Sequence, residues 1–157
     1  MAISLKGRNF FALEDFTPEE IRYLLDLAIQ LKKESREHVR HQHYIGEDFL
    51  LLFEMNSTRT RCAFETSAND LGMGTTFLSN SHFGNTETIK DSMRVFSEMY
   101  SAIGYRGAKH STLLEMAKDS RIPIINGYTD HQHPTQMLAD AMTLDEVWGR
   151  ENYKGKT

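Results

Sequence analysis

Four short apolar runs, each followed by a polar loop and then a stretch with helical spacing, constrain this chain more than any other feature. The runs are 49–53, 75–78, 102–105 and 122–125, and the helical stretches are 60–71, 88–100, 112–118 and 134–148. Apolar runs this short, bounded by turn residues, read as buried strands. Strands alternating with helices build βαβ units around a mainly parallel sheet. The expected fold is therefore α/β: a three-layer sandwich with a four-stranded parallel sheet flanked by helices. Right-handed crossovers bring the strand-to-helix loops to one edge of the sheet, where open α/β sheets bind ligands. Loops 54–60, 79–88, 106–111 and 126–134 are accordingly expected to converge.

A further helix precedes the alternation. Thr17-Pro18-Glu19-Glu20 combines a capping hydroxyl, a proline at the first helical position and a glutamate three residues after the cap. Ile21, Leu24, Leu25, Ala28 and Leu31 then recur at helical spacing. The stretch from His38 to His43 is polar and reads as a loop.

Composition narrows the function classes. A chain of 157 residues suggests one domain, with 39% hydrophobic and 25% charged residues, as in soluble globular proteins. The net charge of −4 argues against nucleic-acid binding, which usually shows as a basic domain. Cys62 is the one cysteine, which excludes an internal disulfide and fits a reducing compartment. No apolar run approaches the ~18 residues needed to cross a membrane, and residues 1–16 carry no signal-peptide pattern. A cytoplasmic enzyme or binding domain is expected.

The chemistry-bearing residues fall in the loops. Ser57-Thr58-Arg59-Thr60-Arg61 opens a helix directly after the first strand. A helix N-terminus offers unpaired N–H groups and partial positive charge. Hydroxyl and guanidinium donors there would make an anion site; the same residues also fit a capped helix with solvated arginines. Arg106 stands at the end of the third strand, facing either the crevice or a surface carboxylate. His133-Pro134-Thr135-Gln136 opens the last helix. His133 suits donation to a developing oxyanion and equally a capping or core role, while Gln136 offers the donor and acceptor that an amide needs. The loop containing His82 and Thr86 is polar and says no more on its own. Gly155-Lys156-Thr157 lacks the first glycine of a P-loop, since Arg150 stands there. The histidines at 38, 41 and 43 lack the spacing of a metal site, so no metal is expected there.

Taken together and in order, three motifs are specific. Residues 57–65 (Ser-Thr-Arg-Thr-Arg-Cys-Ala-Phe-Glu), Arg106-Gly107 and His133–Gln136 resemble the carbamoyl-phosphate-binding domain of the aspartate/ornithine transcarbamylase family, in its ornithine carbamoyltransferase form. The resemblance covers nearly the whole chain. It implies transfer of a carbamoyl group from carbamoyl phosphate to an amine, here ornithine, giving citrulline and phosphate without metal or organic cofactor. Ser57, Thr58, Arg59 and Thr60 would hold the phosphate. Arg106 would bridge phosphate and carbonyl oxygen, His133 would contact that oxygen, and Gln136 the carbamoyl amide. It also implies trimers or multiples of trimers, with the loop matching 81–88 reaching a neighbouring subunit's site, which makes His82 a candidate contact.

Two positions depart from the ornithine-type pattern: Thr86 replaces a lysine and His82 a glutamine. The family also carries a second domain for the amine. Residues 1–150 are therefore expected to form the donor domain and 151–157 the start of a linker, with little turnover from this chain alone. The alternatives are a transcarbamylase for another amine, such as putrescine, and a non-catalytic phosphate-ligand-binding remnant.

Overall fold

β1 (Asp48–Phe53) is apolar from Phe49 onward, because from there it runs through the middle of the molecule with both faces covered. Leu50 and Leu52 point to one face, where they meet Met93, Ile103, Tyr105, Leu113, Met116 and Ile124. Phe49, Leu51 and Phe53 point to the other, against Phe64, Ala68 and Phe77. This alternation is the period-two geometry of a strand, and burial on both faces is what a parallel sheet requires.

The computed structural model describes residues 3–39, 41–150 and 152. Of the segment expected to begin a linker, 151–157, all but Asn152 lies outside the described residues, as do Gly155-Lys156-Thr157. The other strands are β2 (Gly74–Ser79), β3 (Ala102–Arg106) and β4 (Ile124–Tyr128). All pairings are parallel, in the order β2-β1-β3-β4. The helices are α1 (Pro18–Arg36), α2 (Arg59–Asp70), α3 (Ile89–Met99), α4 (His110–Asp119) and α5 (Pro134–Trp148). Residues of α3 and α4 cover one face and residues of α2 the other. Leu24 of α1 and Leu138 of α5 line a common crevice with Ile125, on the α2 side. The three-layer sandwich is thus observed.

The edges of the sheet differ. Residues 9–11 run alongside β4: the Phe10 N–H donates to the Ile124 carbonyl, the Asn126 N–H donates to Phe10, and the Asn9 side chain accepts from Ile124. At the opposite edge β2 is mostly exposed, with only Phe77 and Leu78 half-buried.

The last strand departs from the sequence expectation. The apolar run 122–125 predicted its position, but β4 is shifted towards the C-terminus and includes Asn126, Gly127 and Tyr128. Ser120 holds Ile122 in a turn through its hydroxyl. Asn126, although polar, is fully buried because its side chain donates to the Phe11 and Gln132 carbonyls. Among the described residues no helix is long and apolar enough to cross a membrane.

The core and the caps should respond differently to truncation. Leu51, fully buried in β1, is expected to cost about 2–5 kcal/mol on change to alanine. The Thr17 hydroxyl accepts from the Glu20 N–H at the start of α1, and its loss should cost only about 1 kcal/mol. Urea unfolding of the two variants checks the ranking.

Candidate functional site

The chain crosses from β2 over β1 to reach β3. That reversal leaves a crevice beyond the C-terminal ends of β1 and β3, where α/β sheets take ligands. An open cleft of about 770 Å³ lies there, lined by Asn56, Ser57, Thr58, Arg59 and Thr60 after β1, Arg106 at the end of β3, Tyr128 at the end of β4, and His133, Thr135 and Gln136 at the start of α5. Three of the four expected loops therefore meet. The fourth, after edge strand β2, does not: His82 lies with Leu78, Phe83 and Phe96 in a separate hollow.

The helix starts differ according to where they point. α1 and α3, away from the cleft, are capped by the Thr17 and Thr88 hydroxyls. α4 takes the Asp130 carboxylate on the His110 N–H. α2 has no side-chain cap, although Ser57 and Thr58 stand beside its first turn. α5 has none either, and Pro134 removes one N–H. The α2 start thus leaves N–H groups and hydroxyls for a ligand, together with the positive end of the helix dipole.

Arg106 crosses the floor of the cleft. Its Nη1 donates to the Gly127 carbonyl at 3.3 Å and to Thr60 Oγ1 at 3.4 Å, and its guanidinium carbon sits 4.7 Å from the Tyr128 ring centroid. Its Nε is buried with no partner among the described residues, an orphan donor that normally calls for an acceptor. Gly127 permits this packing: a Cβ there would come within 3.0 Å of Phe64. Arg59 is exposed at the cleft, whereas Arg61 turns away, bonded to Glu65 and lying over Phe77.

His133 is half-buried. Its Nδ1 lies 3.2 Å from Thr135 Oγ1, and its ring meets that of Tyr128 edge-on at 5.7 Å. Burial, and then the charge of Arg106, hold its pKa below the usual imidazole value, against a smaller pull upward from Asp140. It is a neutral imidazole near pH 7. If Thr135 donates to Nδ1, the ring proton resides on Nε2 and is free to be donated. Gln136 donates to Asp140 at 2.9 Å from the rim.

The structure thus brings together Ser57, Thr58, Arg59, Thr60, Arg106, His133 and Gln136, and leaves His82 apart. Sequence reasoning missed Tyr128 and Asn126. The signal for Asn126 was an asparagine directly after an apolar run, where a strand continues only if the amide is satisfied. Tyr128, following a glycine, resembled the opening of a loop.

Comparison with known proteins finds a family and a shared fold. The model of the family "Aspartate/ornithine carbamoyltransferase, carbamoyl-P binding domain" matches residues 8–146. A catabolic ornithine carbamoyltransferase of Clostridium perfringens is 51% identical over 146 residues, which are 93% of this chain and 44% of that protein. The ornithine carbamoyltransferase of Caldanaerobacter subterraneus is 47% identical over 151 residues, 95% of this chain and 48% of that protein. Among solved structures, ornithine carbamoyltransferase from Pyrococcus furiosus superposes with a TM-score of 0.89 at 36% identity, covering 92% of this chain and 47% of that one. The chain spans about half the length of the curated relatives it matches.

The pKa directions give a pH signature. The pKa of His110 is also lowered, by burial and then by His131. As pH falls, the unfolded chain takes up imidazole protons near 6.5, before the folded chain does. The stability tied to these neutral rings is therefore complete above about pH 6.5 and is lost as pH falls through the window below it. NMR titration of the two rings should give midpoints below the ordinary value, and thermal melts should show the midpoint falling across that window.

Proposed function

This chain belongs to the aspartate/ornithine carbamoyltransferase family, and we propose that its cleft holds carbamoyl phosphate as the donor half of an ornithine carbamoyltransferase. The observation that carries the reading is the character of the lining: two guanidiniums, one imidazole, a helix start without a side-chain cap, and no carboxylate among the described lining residues. Such a surface favours a small dianion.

In this reading the phosphate lies against Ser57, Thr58, Arg59 and Thr60; the Thr60 hydroxyl, which accepts from Arg106, keeps its own proton to donate. Arg106, with a free Nε, reaches between phosphate and carbonyl oxygen. His133 donates to that oxygen, and Gln136 meets the carbamoyl nitrogen. The neutral δ-amine of ornithine attacks the carbonyl carbon, a C–N bond forms, and negative charge builds on the oxygen. Collapse breaks the bond to the phosphate oxygen, and the amine's surplus proton leaves with phosphate or solvent. Fixed donors stabilise both developing charges without reorganising. No metal or organic cofactor enters the step.

Relatives named for ornithine favour that amine over putrescine and favour an enzyme over a non-catalytic remnant. The amine site would come from a second domain, and we place the activity in arginine metabolism in the cytoplasm. The position of His82, outside its own cleft, fits a trimer in which its loop serves a neighbouring subunit.

Calorimetric titration of carbamoyl phosphate into this chain tests the reading. Saturable binding is expected. Arg59→Ala should weaken it by at least about tenfold, the loss of one charge-assisted contact. Thr58→Ala should weaken it while leaving stability within about 0.5 kcal/mol, since its side chain caps nothing. A folded parent chain that binds no carbamoyl phosphate would sink the proposal. In a separate steady-state assay, citrulline formation by this chain alone should be little or none, because in this reading most of the amine site comes from a second domain.

A further inference from the structure

The pairing of β3 with β4 slips by one residue near the cleft. Tyr105 lies opposite Asn126, but Arg106 lies opposite Tyr128, so Gly127 is left as the bulged residue. Bulges of this kind re-aim a side chain. Ile124 belongs to the core beneath α3 and α4, and Ile125 to the core beneath α2. Continued alternation through Asn126 and Gly127 would send Tyr128 to the Ile124 side. Instead it lines the cleft on the α2 side, beside Arg106.

There its ring lies against both Arg106 and His133. The Arg106 guanidinium carbon lies 4.7 Å from the ring centroid, and the His133 ring meets it at 5.7 Å with an interplanar angle of 78°. The Tyr128 backbone is fixed independently: its N–H donates to Asn126 Oδ1 at 3.0 Å, and its carbonyl accepts from the Gly107 N–H at 3.1 Å. Among the described residues the Arg106 side chain makes two hydrogen bonds, both long, at 3.3 and 3.4 Å. An aromatic face within cation–π range supplies the lateral restraint that those bonds lack.

We propose that Tyr128 is a positioning residue: its ring, turned into the cleft by the bulge at Gly127, wedges Arg106 and His133 into the mutual orientation in which both address the carbonyl oxygen of the donor. The proposal rests on the reading of the cleft as the carbamoyl-phosphate site. The ring carries the role and the hydroxyl does not, so Tyr128→Phe and Tyr128→Leu separate the two.

The test is made on the full 157-residue chain by two measurements. NMR titration of His133 needs no ligand. In Tyr128→Leu, Arg106 is released and solvent enters, so the His133 midpoint should rise towards the ordinary imidazole value; in Tyr128→Phe it should stay at the parent value. Calorimetry with carbamoyl phosphate should show about tenfold weaker binding for the leucine variant, with the phenylalanine variant restoring parent-like affinity. Tyr128→Met is carried alongside, with the same expectation, should the leucine variant fail to fold. A leucine or methionine variant that melts cooperatively, titrates like the parent and binds like the parent overturns the proposal. So does a phenylalanine variant as impaired as leucine. If the parent itself takes up no carbamoyl phosphate, the donor-site reading falls, and the His133 titration alone still decides whether the ring sets the orientation.

Discussion

The whole arrangement depends on β1 being paired on both sides at once. With β2 on one edge and β3 on the other, the strand has no solvent-facing border, and its five apolar residues are buried on both faces. The chain then has to leave β2 and cross over β1 to lay down β3. That crossing parts the loops on either side and leaves a gap beyond the strand ends. The α2 start, Arg106 and the α5 start are neighbours because of this topology, not because of any local attraction between them.

Much of the fold was legible because it follows from periodicity. The run Phe49–Phe53 is too short for a helix and too apolar for a surface, and Pro134 marks the start of α5 within a residue. The capping box at Thr17 and Glu20 is local chemistry that tertiary contacts do not override. Legibility failed where a strand was held by polar contacts. β4 runs through Asn126 and Gly127 because the amide is satisfied by the Gln132 carbonyl in the next loop and by the Phe11 carbonyl 115 residues away, which no local pattern shows. The second loop was expected in the cleft with the others. It follows an edge strand, and the sheet order that makes β2 an edge is not written in the loop itself. Residues 57–60, Arg106, His133 and Gln136 were legible as a set because each sits at a strand's end or a helix's start. Tyr128 was not, because its direction is decided by a slip in register.

Electrostatically, the molecule separates structural from available donors. Helices that only support the fold have their first N–H groups taken by Thr17, Thr88 or Asp130. The α2 start spends no side chain on itself. The donors at α2 and the Nε of Arg106 have no acceptor among the described residues, and leaving them so is costly. An anion in the cleft would offset both.

This has a consequence for how occupancy registers in the molecule. The cleft has no floor until β1 and β3 have joined, and none of its pieces is a binding surface in the open chain. A ligand seated between them acts as a cross-brace between the two halves of the sheet, and its free concentration enters the folding equilibrium as directly as temperature does. For such a chain, resistance to heat is itself a gauge of what lies in the crevice.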